Sequence, residues 1–272
     1  FYIDCPILTR QSPSSKYGKA YWGLVRGQTS FWPKTIQSLR GPLPGKKVYV
    51  ELMKRRYGSI EAFNKVYGTN CESFSTLFRW DMSEVIPEDA REAAKDDSAL
   101  LALILQKFYQ VTHDAVKRHD PNHLILGDRY NGNTFVPDVA IEAMKPYVDV
   151  FSVQYYGIFE EQKDDLETWH RKSDKPLLLC DSCFSVVDEN MPNPFGHHVE
   201  SQEERAEAYE EYARKVFEMP YIVGWHWCGY IDQWSAAQGK RQHSGIKDAW
   251  GNIHQPLGET MKRINKNILQ TM

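Results

Sequence analysis

No stretch of the sequence approaches the ~20 apolar residues of a membrane-spanning helix, so no membrane span is expected. Nor is one sign of charge in excess: 33 Lys and Arg stand against 36 Asp and Glu, a formal net charge of -3. That near-balance leaves no electrostatic drive towards nucleic acid or an anionic membrane surface. Cysteines are few and odd in number, five in 272 residues. They do not make a disulfide framework, and in apolar or strand-like contexts a Cys behaves as a small hydrophobe. Internal repeats and low-complexity tracts are absent. The opening segment Phe1 to Arg10 shows no basic region leading into an apolar one, so it does not read as a secretory signal. What the chain has in quantity is aromatic residues, 13% of the total with eight Trp and fifteen Tyr. Such a content fills cores and also suits sugar-stacking clefts. The 42% hydrophobic and 25% charged fractions are those of a globular protein.

Strand-like apolar runs alternate with helical patterns along the second half. His123-Leu-Ile-Leu-Gly-Asp128 follows the turn Asp120-Pro-Asn122 and leads to a short helix over Val136 to Lys145 with Pro near its start. Val148 to Tyr155 reads as a strand, followed by a helix over Phe159 to His170. Pro176 to Asp181 is the next strand. Its helix runs over Gln202 to Phe217, where Ala206, Tyr209, Ala213 and Val216 recur at three or four residues. Tyr221 to Cys228 is the last strand, and Pro256 to Leu269 the closing helix. Near-continuous apolar strands separated by helices predict an α/β fold with a parallel sheet covered by helices. Polar and aromatic residues gather after each strand, in Asp128-Arg129-Tyr130, Gln154-Tyr155-Tyr156, Asp181-Ser182 and Trp227 to Gln233. Parallel α/β folds carry function at the carboxyl ends of strands, so these groups are expected to share one cleft.

Upstream, Tyr2-Ile-Asp4 reads as a strand end and Gln11 to Lys19 as a loop. Lys47 to Tyr57 and Ile60 to Val66 read as short helices, and Ser98 as the N-cap of a long helix to Lys117. About five strands result. An eight-stranded barrel needs about three more and an open doubly wound sheet needs none, and the pattern by itself leaves both open.

Several stretches resemble the β-agarases of glycoside hydrolase family 50. Ser201-Gln-Glu-Glu-Arg-Ala-Glu-Ala-Tyr209 with Pro220-Tyr-Ile-Val-Gly-Trp-His-Trp-Cys-Gly-Tyr-Ile-Asp-Gln233 is similar to their penultimate helix and final strand. Gly245-Ile-Lys-Asp248 with Gly251 and Pro256 resembles the segment after that strand, and Asp120 to Arg129 the fifth helix–strand unit. Tyr57-Gly-Ser-Ile-Glu-Ala-Phe-Asn64 with Tyr67-Gly-Thr69 is similar to related β-galactosidases. The resemblance implies a (β/α)8 TIM barrel of which this chain carries strands four to eight, Tyr2-Ile-Asp4 being the fourth. It implies one glycoside hydrolase-like domain over residues 1–272. It also implies a carbohydrate substrate of the agar-like galactan type and no cofactor. The family is commonly exported. Oligomeric state is not legible.

Glycoside hydrolysis needs two carboxyl groups flanking the scissile bond. The family places one Glu after strand four and one at the end of strand seven. Here Asp181 holds the strand-seven position, and Asp4 is the only carboxylate in Phe1 to Pro6. Retaining enzymes hold their carboxyls ~5–5.5 Å apart and inverting ones ~6.5–9.5 Å. Shortening two Glu to Asp retracts each carboxylate by roughly 1.5 Å and opens the gap to roughly 8 Å, the inverting range. Asp4 is therefore read as general acid and Asp181 as general base acting through water. The alternative is a non-catalytic carbohydrate-binding barrel that has lost the Glu pair. Around the pair, Arg129 and Gln154 are candidates for sugar hydroxyls, and Tyr155 or Tyr156 for orienting Asp181. Trp227 is the candidate stacking face, with Gln233 and His243 as further substrate-binding candidates, Asp232 as another candidate beside them, and His197-His198 in an overhanging loop. Cys180-Asp-Ser-Cys183 has metal-motif spacing. Strand residues three apart face opposite sides, however, and no second close pair exists, so no metal is expected.

Overall fold

The computed structural model describes residues 10–11, 20–21, 31–133, 135–189, 191–192, 196–235 and 240–271. The expected strand at Tyr2-Ile-Asp4 lies outside them, as does most of the expected loop Gln11 to Lys19. The described chain divides into two compact units.

One unit is helical. It holds the two-residue antiparallel pair β1 (Arg10–Gln11) and β2 (Ala20–Tyr21), then α1 (Phe31–Ser38), α2 (Pro44–Tyr57), α3 (Ile60–Tyr67) and α4 (Ala90–His119). Pro44 opens α2 at a position whose N–H would have no helical partner. Ser59 caps α3 by accepting from Ala62 N–H, and Gly68 closes it in the left-handed conformation. Tyr49, Met53, Phe63, Leu77 and Leu100 form the centre of the core. The long helix begins nine residues before the expected Ser98, at the cap Asp89, whose carboxylate accepts from Arg91 and Glu92 N–H. The reason is a polar buried face. Asp96 accepts from Tyr57, Tyr67 and Arg56, and Asp97 from Gln37, so this first part of the helix is packed without apolar periodicity. Replacing Asp89 by Ala is expected to destabilise this unit by about 1 kcal/mol, read from its urea unfolding midpoint.

The other unit carries a four-stranded parallel sheet that pairs Tyr130–Asn131, Phe151–Gln154, Leu177–Ser182 and Ile222–Trp227 in that order. Its first strand, β3 (Tyr130–Asn131), lies later than the expected His123 to Asp128. In that earlier run Ile125 donates its N–H to Asp149 Oδ2 and accepts from Asp149 N–H. The chain then passes through α5 (Asp138–Met144) of the helical unit, capped at Pro137. It returns as β4 (Phe151–Gln154), every residue of which is buried. After α6 (Phe159–Ser173) come β5 (Leu177–Ser182), β6 (Phe184–Val186) and β7 (His197–Val199), the last two paired in parallel. Then follow α7 (Gln202–Phe217), β8 (Ile222–Trp227), the antiparallel pair β9 (Gln233–Ser235) and β10 (Lys240–Gln242), and α8 (Leu257–Thr271).

The expected α/β class with a parallel, helix-covered sheet is what the structure shows. Phe151 lies against Tyr130 and Trp169, while Val150, Leu178 and Cys180 pack with Leu126 in a separate apolar cluster. Helix α7 starts and ends as its spacing predicts. Ser201 caps it by accepting from Glu204 N–H, and its apolar face of Ala206, Tyr209, Ala213 and Val216 is buried. Tyr209 and Ala213 then pack on Leu257, Met261 and Ile264 of α8.

Candidate active site at the strand ends

Parallel pairing sets Gln154 opposite Asp181 and Ser182 opposite Trp227, so the last residues of β4, β5 and β8 lie side by side. The backbone locks this register. Tyr155 N–H donates to Asp181 C=O at 3.0 Å, and Cys228 N–H to Ser182 C=O at 2.8 Å. Asp181 is half-buried, and Arg129 Nη1, arriving just before β3, meets its Oδ2 at 3.2 Å.

Tyr156 and Cys228 join the same carboxylate. The Tyr156 hydroxyl donates to the Cys228 thiol, and that thiol donates to Asp181. Burial and this bond push the Tyr156 phenol well above its usual value, and burial likewise raises the Cys228 thiol. The structure thereby separates the two candidate tyrosines. Tyr155 turns away, its hydroxyl donating to Glu161 C=O at 3.3 Å, whereas Tyr156 belongs to the Asp181 cluster. Asn133 fixes Tyr156 by accepting its N–H at 2.8 Å and donating to its C=O at 2.9 Å. Neither Asn133 nor Cys228 stands out in the sequence as part of this cluster. A lone Asn in a turn and a Cys after a strand carry no spacing signal.

Gln154 and Trp227 stay at these strand ends, and the other candidates fall elsewhere. Gln154 is buried at the end of β4. Trp227 is partly buried in an aromatic group with Trp225, Tyr209 and Phe184, its indole N–H donating to Ser244 C=O at 2.9 Å. Gln233 is exposed at the start of β9. His243 lies beside Asp232 and Asp188, and burial lowers its imidazole pKa. His197 and His198 form β7, and His198 Nε2 stands 3.4 Å from Glu200. Asp4 lies outside the described residues.

Arg205 of α7 is wholly buried. Its Nε donates to Phe184 C=O at 2.8 Å and Nη2 to Gly245 C=O at 2.9 Å, and its guanidinium lies over Trp227. Burial lowers its pKa to about 10, so it is charged at neutral pH.

No disulfide joins the four described cysteines. Burial pushes the Cys180 thiol up to about 12 and raises Cys183 as well. In an unfolded chain a thiol titrates near ~8.5. Above that pH the unfolded state binds fewer protons than the native one, so stability falls as pH rises towards the folded values. The urea midpoint is expected to drop between about pH 8 and pH 10.5, with a shallower slope in the C180A/C183A double variant.

No family model matches the chain. It is 25% identical over 256 residues to β-agarase B of Vibrio sp. (strain JT0107), covering 91% of this chain and 26% of that protein. It is 28% identical over 196 residues to β-agarase A of the same organism, covering 70% of this chain and 19% of that one. The chain thus spans about a quarter or less of the length of the curated relatives it matches. Among solved structures, an exo-β-agarase superposes with a TM-score of 0.76 at 26% identity, over 88% of this chain and 32% of that one. The agarase AgWH50C superposes with a TM-score of 0.73 at 26% identity, over 88% and 34%. PfGH50B gives 0.75 at 26% identity, over 86% and 34%. In sequence and in fold, the chain is similar to the β-agarases of glycoside hydrolase family 50.

Proposed function

We propose that this chain acts as a glycoside hydrolase on an agar-like galactan, in one domain that carries strands four to eight of a (β/α)8 barrel. The observation that carries the reading is the ion pair of Asp181 and Arg129 at the carboxyl ends of neighbouring parallel strands, in a chain similar to β-agarases. Such strand ends are where barrel enzymes hold their reacting groups. In this reading Asp181 is the general base that takes a proton from the attacking water. Asp4 is the acid that protonates the leaving oxygen. Substitution then proceeds with inversion at the anomeric carbon. Arg129 holds the Asp181 carboxylate in place, and Tyr156 and Cys228 limit its rotation through their hydrogen bonds. Arg129 and Gln154 are the proposed contacts to sugar hydroxyls, and the open part of Trp227 the proposed stacking face. The substrate is a neutral galactan, in keeping with a chain of small net charge.

The test is release of reducing ends from agarose and from neoagaro-oligosaccharides by the purified chain. Release above the no-protein rate supports the reading. Tight binding of the oligosaccharides without release would instead favour a carbohydrate-binding barrel.

A further inference from the structure

Asp232, His243 and His254 bring one carboxylate oxygen and two imidazole nitrogens within 4.8 Å of one another, in the segment between β8 and α8. From this geometry we propose a binding site for a divalent transition-metal ion, with zinc as the best fit. The inference is independent of the glycosidase reading.

The donors are of the right chemistry. Zinc takes imidazole nitrogen and carboxylate oxygen, and two donors about 2.1 Å from a tetrahedral ion stand roughly 3.4 Å apart. His243 Nε2 already stands 3.5 Å from Asp232 Oδ2. His254 Nε2 lies 2.7 Å from the same oxygen, a hydrogen-bond length. An ion replaces the bridging proton, which leaves to solvent, and the pair opens by roughly 0.7 Å.

The outer groups are also in place. Asp232 Oδ1 is engaged by Gly245 N–H at 2.9 Å, which leaves Oδ2 aimed at the two rings. The Nδ1 of His243 is buried without a hydrogen bond and faces Asp188 Oδ2 at 3.6 Å. A carboxylate behind a metal-bound imidazole is the usual outer partner, and it orients the ring. The backbone holds all three residues. Asp232 N–H donates to Lys247 C=O, His254 N–H donates to Ile246 C=O, and His243 bridges to Val186 of β6. Gly245 permits this close approach, since a Cβ there would meet Asp232 N at 2.2 Å. Two carboxylates, Asp232 and Asp188, face the rings and favour a dication, against the opposing charge of Arg205, which interacts with Asp232 and His243. With three protein donors, the fourth position is left to water.

The experiment loads the full chain with zinc alone, dialyses it against metal-free buffer and counts the metal by elemental analysis. The expected result is about one zinc per chain, falling at least tenfold in H254Q and in H243Q, with an upward shift of the melting temperature on zinc addition only in the parent. The C180A/C183A variant should keep its zinc. Cobalt in place of zinc should give the visible absorption of a tetrahedral site in the parent and lose it in H254Q. Circular dichroism checks that each variant is folded, and H243Q decides if H254Q is not. No retained zinc in the parent would overturn the proposal. So would zinc that survives both His substitutions or is lost only with the cysteines.

Discussion

Replacing Asp181 by Asn is expected to lower kcat on agar-type oligosaccharides by about 10³-fold, the usual size of a lost general base. The change keeps volume and shape and removes only the capacity to take a proton from water. KM should move little, because the lost interaction belongs to the transition state. The fold should hardly notice. The ion pair with Arg129 is half-exposed, and such pairs contribute about 1 kcal/mol or less. A steady-state comparison, with the melting temperature as control, separates this outcome from its rivals. Equal activity in the two proteins would remove Asp181 from the chemistry. A large loss of thermal stability would recast it as a structural anchor.

Replacing Arg205 by Leu is expected to destabilise the sheet-bearing unit by about 3 kcal/mol. Its guanidinium is wholly buried and bonds the carbonyls of Phe184, in β6, and Gly245, beyond β8. Leu leaves both acceptors without these donors, at about 1–3 kcal/mol for each buried group. It also removes the cation stacked over Trp227. A unit of this size would then melt roughly 6–12 °C lower. Lys in place of Arg should recover only part, since one ammonium cannot reproduce the planar fork that reaches two carbonyls. Urea unfolding of the three proteins measures this directly. A loss below about 1 kcal/mol in the Leu variant would mean that the carbonyls find other donors.

The sequence pattern carries the parallel sheet and its covering helices well, for a stated reason. A strand buried on both faces such as β5 carries a continuous apolar run, Leu177 to Cys180, and α7 has a clean apolar stripe between a Ser cap and a polar turn. The start of α4 escapes the same reasoning because its buried face is ionic, built on Asp96 and Asp97 rather than on periodic apolar residues. The strand near His123 is displaced because apolar residues there mark local burial, as at Ile125, not the place where ladder bonds form. At the candidate site, the meeting of Asp181, Arg129 and Gln154 at neighbouring strand ends is legible from their positions after strands. Which tyrosine turns towards Asp181 is not, since it depends on the clamp from Asn133. His254 is equally silent. It lies eleven residues after His243, a spacing with no periodic meaning, and meets Asp232 only through the backbone pairings of the final loop.

In the proposed reaction two Asp carboxylates, each one methylene shorter than a Glu, hydrolyse a galactan through water. The decisive measurement is proton NMR of the anomeric region, recorded while the chain acts on neoagaro-oligosaccharides. The inverted anomer is expected first, and the other only as mutarotation proceeds. First appearance of the retained anomer would contradict the assignment of Asp181 as base. Unchanged substrate signals over many hours would contradict hydrolysis itself.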